Sequence, residues 1–314
     1  MISLKKKTEN KIVSSEKNQA KHIIAKAVMI FLGIFILLYI LSFLVMILWT
    51  LNSSLKGDRL FTKEPFGLLD FNDIRWENYS IAFNKLTNSK FFESLNDYVY
   101  FDYWKMFLNS FLFAAGTAGM GIFMNFLVAY PMGRYDFPGK KFLFNMAILL
   151  MVIPVVGNMS SSLYVRRVLG IYDNMFLHII TASGGFGMNF MLIYGAVKSV
   201  SGSYVDAAKI DGAGDFTIMT RISLPMVFPL MFCLFMIGFT GHWNDYSTIL
   251  VYLPSSPNLA YGLHLFRSTA TTGDGITDPQ VLAAYILVAI PSTIFWCVGQ
   301  SFVLENYTVG GLKE

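Results

Sequence analysis

Residues Ala27–Leu55, AVMIFLGIFILLYILSFLVMILWTLNSSL, run for 29 positions without a charged side chain. A helix needs about 20 apolar residues to cross about 30 Å of hydrocarbon, so this stretch is long enough to span a bilayer. Five more follow: Met106–Gly133 (28 residues), Phe142–Val165 (24), Asn174–Val197 (24), Ile222–Asn244 (23) and Pro279–Leu304 (26). A seventh charge-free stretch, Tyr246–Phe266, carries Pro254, Ser255, Ser256, Pro257 and Asn258 at its centre. Those residues break a helix and need backbone partners that lipid lacks, so the stretch reads as a loop. The expectation is an all-α integral membrane protein with six transmembrane helices.

Composition agrees. Of 314 residues, 54% are hydrophobic and only 14% charged, and the mean hydropathy is +0.52. A soluble domain this poor in charge could not cover its surface with polar side chains. The 16% aromatic content excludes disorder, and a scattered net charge of +4 excludes a nucleic-acid footprint. Cys233 and Cys297 both lie in apolar runs and cannot form a disulfide framework.

The flanking Lys and Arg set an orientation. With the lysine-rich N-terminal tail in the cytoplasm, the loops holding Arg134, Lys140, Lys141 and Lys198, Lys209, Arg221 are cytoplasmic too, as is Lys313. Fourteen of the 24 basic residues then lie inside. Arg166 and Arg167 go against the rule. The first apolar run is far longer than a signal-peptide core and no small-x-small site follows it, so it reads as a retained span. The expected layout is a cytoplasmic tail at 1–26, a first transmembrane helix at 27–51 and an extracellular segment at 52–105. A five-helix core follows at 106–304, with a cytoplasmic loop at 198–225 and a C-terminal tail at 305–314. The aromatic-rich 52–105 segment suits either a structural cover or a docking surface for an extracellular partner.

Catalytic chemistry is missing from the pattern. There is no Gly-x-x-x-x-Gly-Lys-Ser/Thr loop for ATP. The triplet Gly116, Gly119, Gly121 sits mid-span beside Ala114, Ala115 and Ala118, which suits close helix packing. His22, His178, His242 and His264 lack metal-ligand spacing, and no nucleophile elbow occurs. No catalytic residue and no metal site is assigned. Gly184, Gly185 and Gly187 weaken the fourth stretch, and a kink beside a cavity is expected there.

The loop before the fifth span carries most information. Ser203-Tyr-Val-Asp206 fits a capping box, so a helix is expected to start at Ser203. Ala207 and Ala208 let another surface approach closely. Gly212 and Gly214 break the helix, Asp215 can cap a second short one, and Pro225 suits the first turn of the fifth span. The residues alone allow an ordinary interfacial connection or a bent docking element for a soluble protein.

Asp206-Ala-Ala-Lys-Ile-Asp-Gly212, nine residues, then Ile222-Ser-Leu224-Pro225 resembles the EAA motif of ABC importer permeases. That pattern is Glu-Ala-Ala, three residues, Gly, nine residues, Ile-x-Leu-Pro; here Asp206 stands for the Glu. Ala213 after the glycine, Trp243-Asn-Asp245, Trp76-Glu-Asn-Tyr79, Leu108-Asn-Ser110 and Tyr307-Thr-Val-Gly-Gly311 are similar to the binding-protein-dependent carbohydrate branch, in particular the second permease subunit of maltose-type transporters. The tail ends in Gly-Leu-Lys-Glu rather than the small residues usual there, and segment 86–105 is longer than typical. The resemblance implies a MetI-like six-helix permease in a bacterial plasma membrane, both termini cytoplasmic. It implies as partners a second permease subunit, two ATPase subunits that use ATP and Mg, and an extracellular sugar-binding protein. It implies that this chain itself binds no cofactor and is no enzyme. The coupling residues are then Ser203, Asp206, Ala207, Ala208, Gly212, Ala213, Ile222, Leu224 and Pro225. A sugar needs hydrogen-bonding groups and aromatic faces, and the span-facing candidates are Asn189, Tyr194, Trp243, Asn244, Asp245 and Tyr246. An ABC permease for a peptide or polyamine, or a secondary carrier, are the alternatives.

Overall fold

The computed structural model describes residues 2–87, 89–91, 99–153, 157–181, 185–271 and 275–307. The chain divides at Arg75 into two compact units, so the 52–105 segment is shared between them. The first unit is built on one helix, α1 (Ile2–Ser54). From Val28 to Leu48 its large apolar side chains are exposed, as they are on a helix meant for lipid. Its far end is folded over by α2 (Asp58–Lys63) and a 3₁₀ turn at Phe71–Asp73. Trp49 Nε1 donates to the Pro65 carbonyl at 2.8 Å, and Asn52 bonds Gly67 O and the Leu69 amide. Lys56 is fully buried, its ammonium donating to Glu64 O at 2.8 Å and Gly67 O at 2.6 Å. Backbone carbonyls thus replace the water that a buried ammonium loses.

The second unit opens with α3 (Glu77–Thr87) and a short antiparallel pair, β1 (Ser89–Phe91) and β2 (Val99–Phe101). Helices then follow throughout: α4 (Tyr103–Arg134), α5 (Lys140–Val152), α6 (Met159–Val168), α7 (Met175–Thr181) and α8 (Met188–Ser199). The remainder is α9 (Gly202–Ile210), α10 (Asp215–Ile218), a π turn (Met219–Ser223), α11 (Leu224–Trp243), α12 (Tyr246–Tyr252), α13 (Leu259–Thr271) and α14 (Asp278–Tyr307).

Among the described residues four helical segments are long and apolar enough to cross a membrane: Ile24–Ser54, Tyr103–Arg134, Asp215–Trp243 and Asp278–Val303. The other two charge-free stretches are divided. Phe142–Val165 is shared by α5 and α6; α5 has 13 residues, about 20 Å of helix, too short to cross alone. Asn174–Val197 is shared by α7 and α8, with Gly187 extended before Met188, so the expected kink is a full break. Gly184, one of the glycines expected to weaken the fourth stretch, lies outside the described residues. The stretch read as a loop, 246–266, is instead helical on both sides of its Pro-Ser centre. The prolines end α12 and precede α13 without preventing either, because a helix tolerates a proline outside its interior.

α4 is the axis of this unit, flanked by α8 and α11, with α14 on the far side of α11. One buried cluster joins Phe113, Phe239, Trp243, Tyr261 and Ala284; another joins Phe126, Tyr130, Phe190, Val197 and Met231. At Gly116 a Cβ would lie 2.6 Å from Ile179 Cδ1, so a side chain there would make the Ile179 side chain shift.

Candidate functional site

Most of the residues the sequence singles out lie in two regions, one at each end of α11. At its N-terminal end, the stretch 201–221 forms a bent elbow. The cap is Ser201, not Ser203: its hydroxyl accepts from the Ser203 amide at 3.3 Å and bonds the Ser203 hydroxyl at 2.8 Å, and the helix begins at Gly202. Ser201 has the extended backbone a cap needs, with ψ 136°, which the capping-box pattern alone does not reveal. α9 then closes with the Ala213 amide on Ala208 O at 2.9 Å and the Gly212 amide on Lys209 O at 3.1 Å. That pair of bonds is a Schellman ending, with Gly212 in the left-handed region at φ +80°. Asp215 is the first residue of α10 rather than its cap, which is Gly214. Its carboxylate still meets the positive end of the helix.

From Asp215 the backbone stays helical through Trp243. Pro225 lacks the amide that would bond Arg221 O, and the widened π turn at 219–223 directly before it absorbs the mismatch. Asp206, Ala207 and Pro225 are exposed, while Ala208, Ala213, Ile222 and Leu224 are half-buried. Beside them Tyr204, Ile210 and Phe216 are exposed, Ile210 by 86%. A row of exposed apolar side chains on a rigid bend is a surface able to receive a partner.

Both ends of the elbow are tied to the end of α4. Arg134 Nη2 donates to Val200 O at 2.9 Å, and the Tyr135 phenol interacts with Tyr130 and Asp215. Burial, Tyr130 and Asp215 together push the Tyr135 phenol well above its ordinary value. Sequence reasoning counted Arg134 as an orienting charge only and passed over Tyr135; nothing in their local pattern points to residues 66 or 80 positions away.

Just past the other end of α11 a cleft of about 490 Å³ opens between Asn244, the start of α12, α13 and α14. Asn244 and Tyr246 line it, with His264, Arg267, Tyr285 and Ser292, which the sequence reading did not select. The Tyr246 and His264 rings stack at 4.3 Å, and Arg267 Nη1 donates to the Tyr285 hydroxyl at 3.2 Å. Trp243 is buried in the core against Phe107 and Phe239, its Nε1 donating to Val288 O at 3.4 Å. Asp245 caps α12, accepting from the Thr248 amide at 2.9 Å and the Ser247 hydroxyl at 2.8 Å. Burial pushes its carboxyl up, and these hydrogen bonds outweigh burial and leave it below the ordinary carboxylate range. Asn189 is exposed on α8, and Tyr194 is half-buried between Phe144 and Phe190. Of the six pathway candidates, then, the structure gathers Asn244 and Tyr246 at one cleft and places the others elsewhere.

Residues 120–303 match the family model described as "Binding-protein-dependent transport system inner membrane component". The chain is 27% identical over 214 residues to the galactooligosaccharides transport system permease protein GanQ of Bacillus subtilis, covering 67% of this chain and 75% of that one. It is 24% identical over 288 residues to the diacetylchitobiose uptake system permease protein NgcG of Streptomyces coelicolor, covering 88% and 87%. The maltodextrin transport system permease protein MdxG of Bacillus subtilis is 26% identical over 220 residues, covering 67% and 76%. In fold, the chain is similar to one chain of a bacterial ABC transporter involved in the import of the acidic polysaccharide alginate. The TM-score is 0.63 at 21% identity, covering 90% of this chain and 97% of the other.

Proposed function

The chain belongs to the family of binding-protein-dependent transport system inner membrane components, and from that premise we propose that it is one permease subunit of an ATP-driven sugar importer. The permease names of its relatives, for galactooligosaccharides, diacetylchitobiose and maltodextrin, support an oligosaccharide as the solute. The membrane part has six crossings, the third and fourth each made of two shorter helices. A second permease subunit completes the pathway, and an external binding protein delivers the sugar. Two ATPase subunits, holding ATP and Mg, act from the cytoplasm, and the elbow at 201–221 carries their motion into the spans.

The observation that carries this reading is the continuity of the elbow with α11. A push on Phe216 or Ala213 enters a backbone that stays helical for 29 residues, from Asp215 to Trp243, next to the cleft at Asn244 and Tyr246. A partner can shift an inward–outward equilibrium only through contacts that differ between the two states. A rigid bend leading straight into a span offers such contacts; a pliable loop would dissipate the motion.

Ala208 tests it. A glutamate there adds bulk and charge where α9 must meet a partner closely. In cells carrying the intact importer, Ala208→Glu is expected to leave membrane insertion normal while ATPase co-purification and sugar uptake fall at least about tenfold. Normal association and uptake in that variant would overturn the elbow assignment.

A further inference from the structure

The cleft at the Asn244 end of α11 carries a cation without an ionic partner. Arg267 lies on α13 and lines the cleft. Arg267 is exposed; among the described residues its hydrogen bond is to the Tyr285 hydroxyl at 3.2 Å, and no carboxylate among them lies within ion-pairing distance of it. The groups beside it suit a sugar: the amide of Asn244, the hydroxyls of Tyr285 and Ser292, and the stacked rings of Tyr246 and His264. A guanidinium presents a planar fork that matches a carboxylate with two parallel hydrogen bonds, a geometry a neutral hydroxyl cannot fill. At about 490 Å³ the cleft admits more than one sugar ring.

We propose that this cleft selects an anionic sugar, of the uronic-acid kind, with Arg267 receiving the carboxylate while Asn244, Tyr246 and Ser292 meet the neutral part of the ring. The inference rests on the reading of the chain as a sugar permease and sharpens it. Tyr285 is the positioning residue, holding the guanidinium toward the cleft.

Saturation-transfer difference NMR on the assembled importer in phosphatidylcholine nanodiscs reads weak binding directly. Galacturonate trisaccharide and galactotriose, equal in length, are the probes. The uronide is expected to give at least a tenfold stronger response, a preference that Arg267→Gln reduces to about equality and Arg267→Lys keeps in part. A wild-type response equal for the two sugars, or a preference that survives Arg267→Gln, overturns the charge assignment while leaving a sugar permease in place. No response to either sugar overturns the sugar reading of the cleft itself. If phosphatidylglycerol nanodiscs abolish the uronide response, Arg267 serves a lipid headgroup and the proposal falls.

Discussion

Gly212 and Gly214 show what single residues do here. Both look like helix breakers in sequence, yet they differ in what they demand. Gly212 sits at φ +80° and Gly214 at φ −73°, and neither has an atom within 4 Å of where a Cβ would be. Space is therefore no obstacle at either position, and backbone conformation decides. A Cβ in the left-handed region costs roughly 1 kcal/mol, whereas at φ −73° it costs little. Gly212→Ala is expected to lower uptake severalfold by loosening the Schellman turn, and Gly214→Ala to stay within twofold of wild type, measured as initial rates in intact cells. The sequence located both breakers because glycine spacing is local; it could not assign φ, which the hydrogen bonds to Ala208 and Lys209 determine. Lys56 makes the same point from the other side. Composition places lysine at the surface, and only the folded turn at 64–67 gathers the carbonyls that bury it.

Among elements, the end of α4 governs the elbow more than α9 does. α9 has nine residues and no fully buried side chain, so it is too short and too exposed to hold its own position. Arg134, through Val200 O, and Tyr135, through Asp215, supply the missing anchorage. Arg134→Gln shortens the reach and frees the Val200 carbonyl. Amide exchange in a peptide covering 200–215 should then quicken by about tenfold, with α4 itself as protected as before, since a charged-group hydrogen bond contributes about 1.5–3 kcal/mol. Unchanged exchange would mean the elbow is held by something else. Element by element, the long uniform spans were legible because charge gaps report hydrocarbon thickness directly. The broken pairs α5–α6 and α7–α8 were not, since an uncharged run looks alike whether its helix is continuous or interrupted. Tyr246–Phe266 misled for a related reason: its central prolines mark a turn, and α12, whose residues Tyr-Ser-Thr-Ile-Leu-Val-Tyr have weak intrinsic helix propensity, forms under the Asp245 cap.

At the scale of the molecule, α11 separates two chemistries by its own length. Twenty residues at 1.5 Å each put about 30 Å between Leu224 and Trp243, the thickness of the hydrocarbon layer. The elbow and the cleft must then face opposite sides of the membrane, whichever way the chain is inserted. From the distribution of Lys and Arg we propose the orientation with the elbow in the cytoplasm and the turn at Pro254–Asn258 outside. Arg166 and Arg167 fall on the outer side in this arrangement, but both are engaged there: Arg166 bonds His178 Nδ1 at 2.9 Å and lies over the Tyr252 ring, and Arg167 lies over Tyr172. Charges held by the fold in this way weigh less as topology signals. Cysteine scanning decides the matter. Cys233 and Cys297 are first replaced by serine, which leaves a background without thiols. In intact cells, a membrane-impermeant maleimide should label Ser256→Cys and leave Ile210→Cys untouched until the membrane is opened. The reverse pattern would invert the protein, move the elbow away from any cytoplasmic ATPase and remove the mechanical basis of coupling.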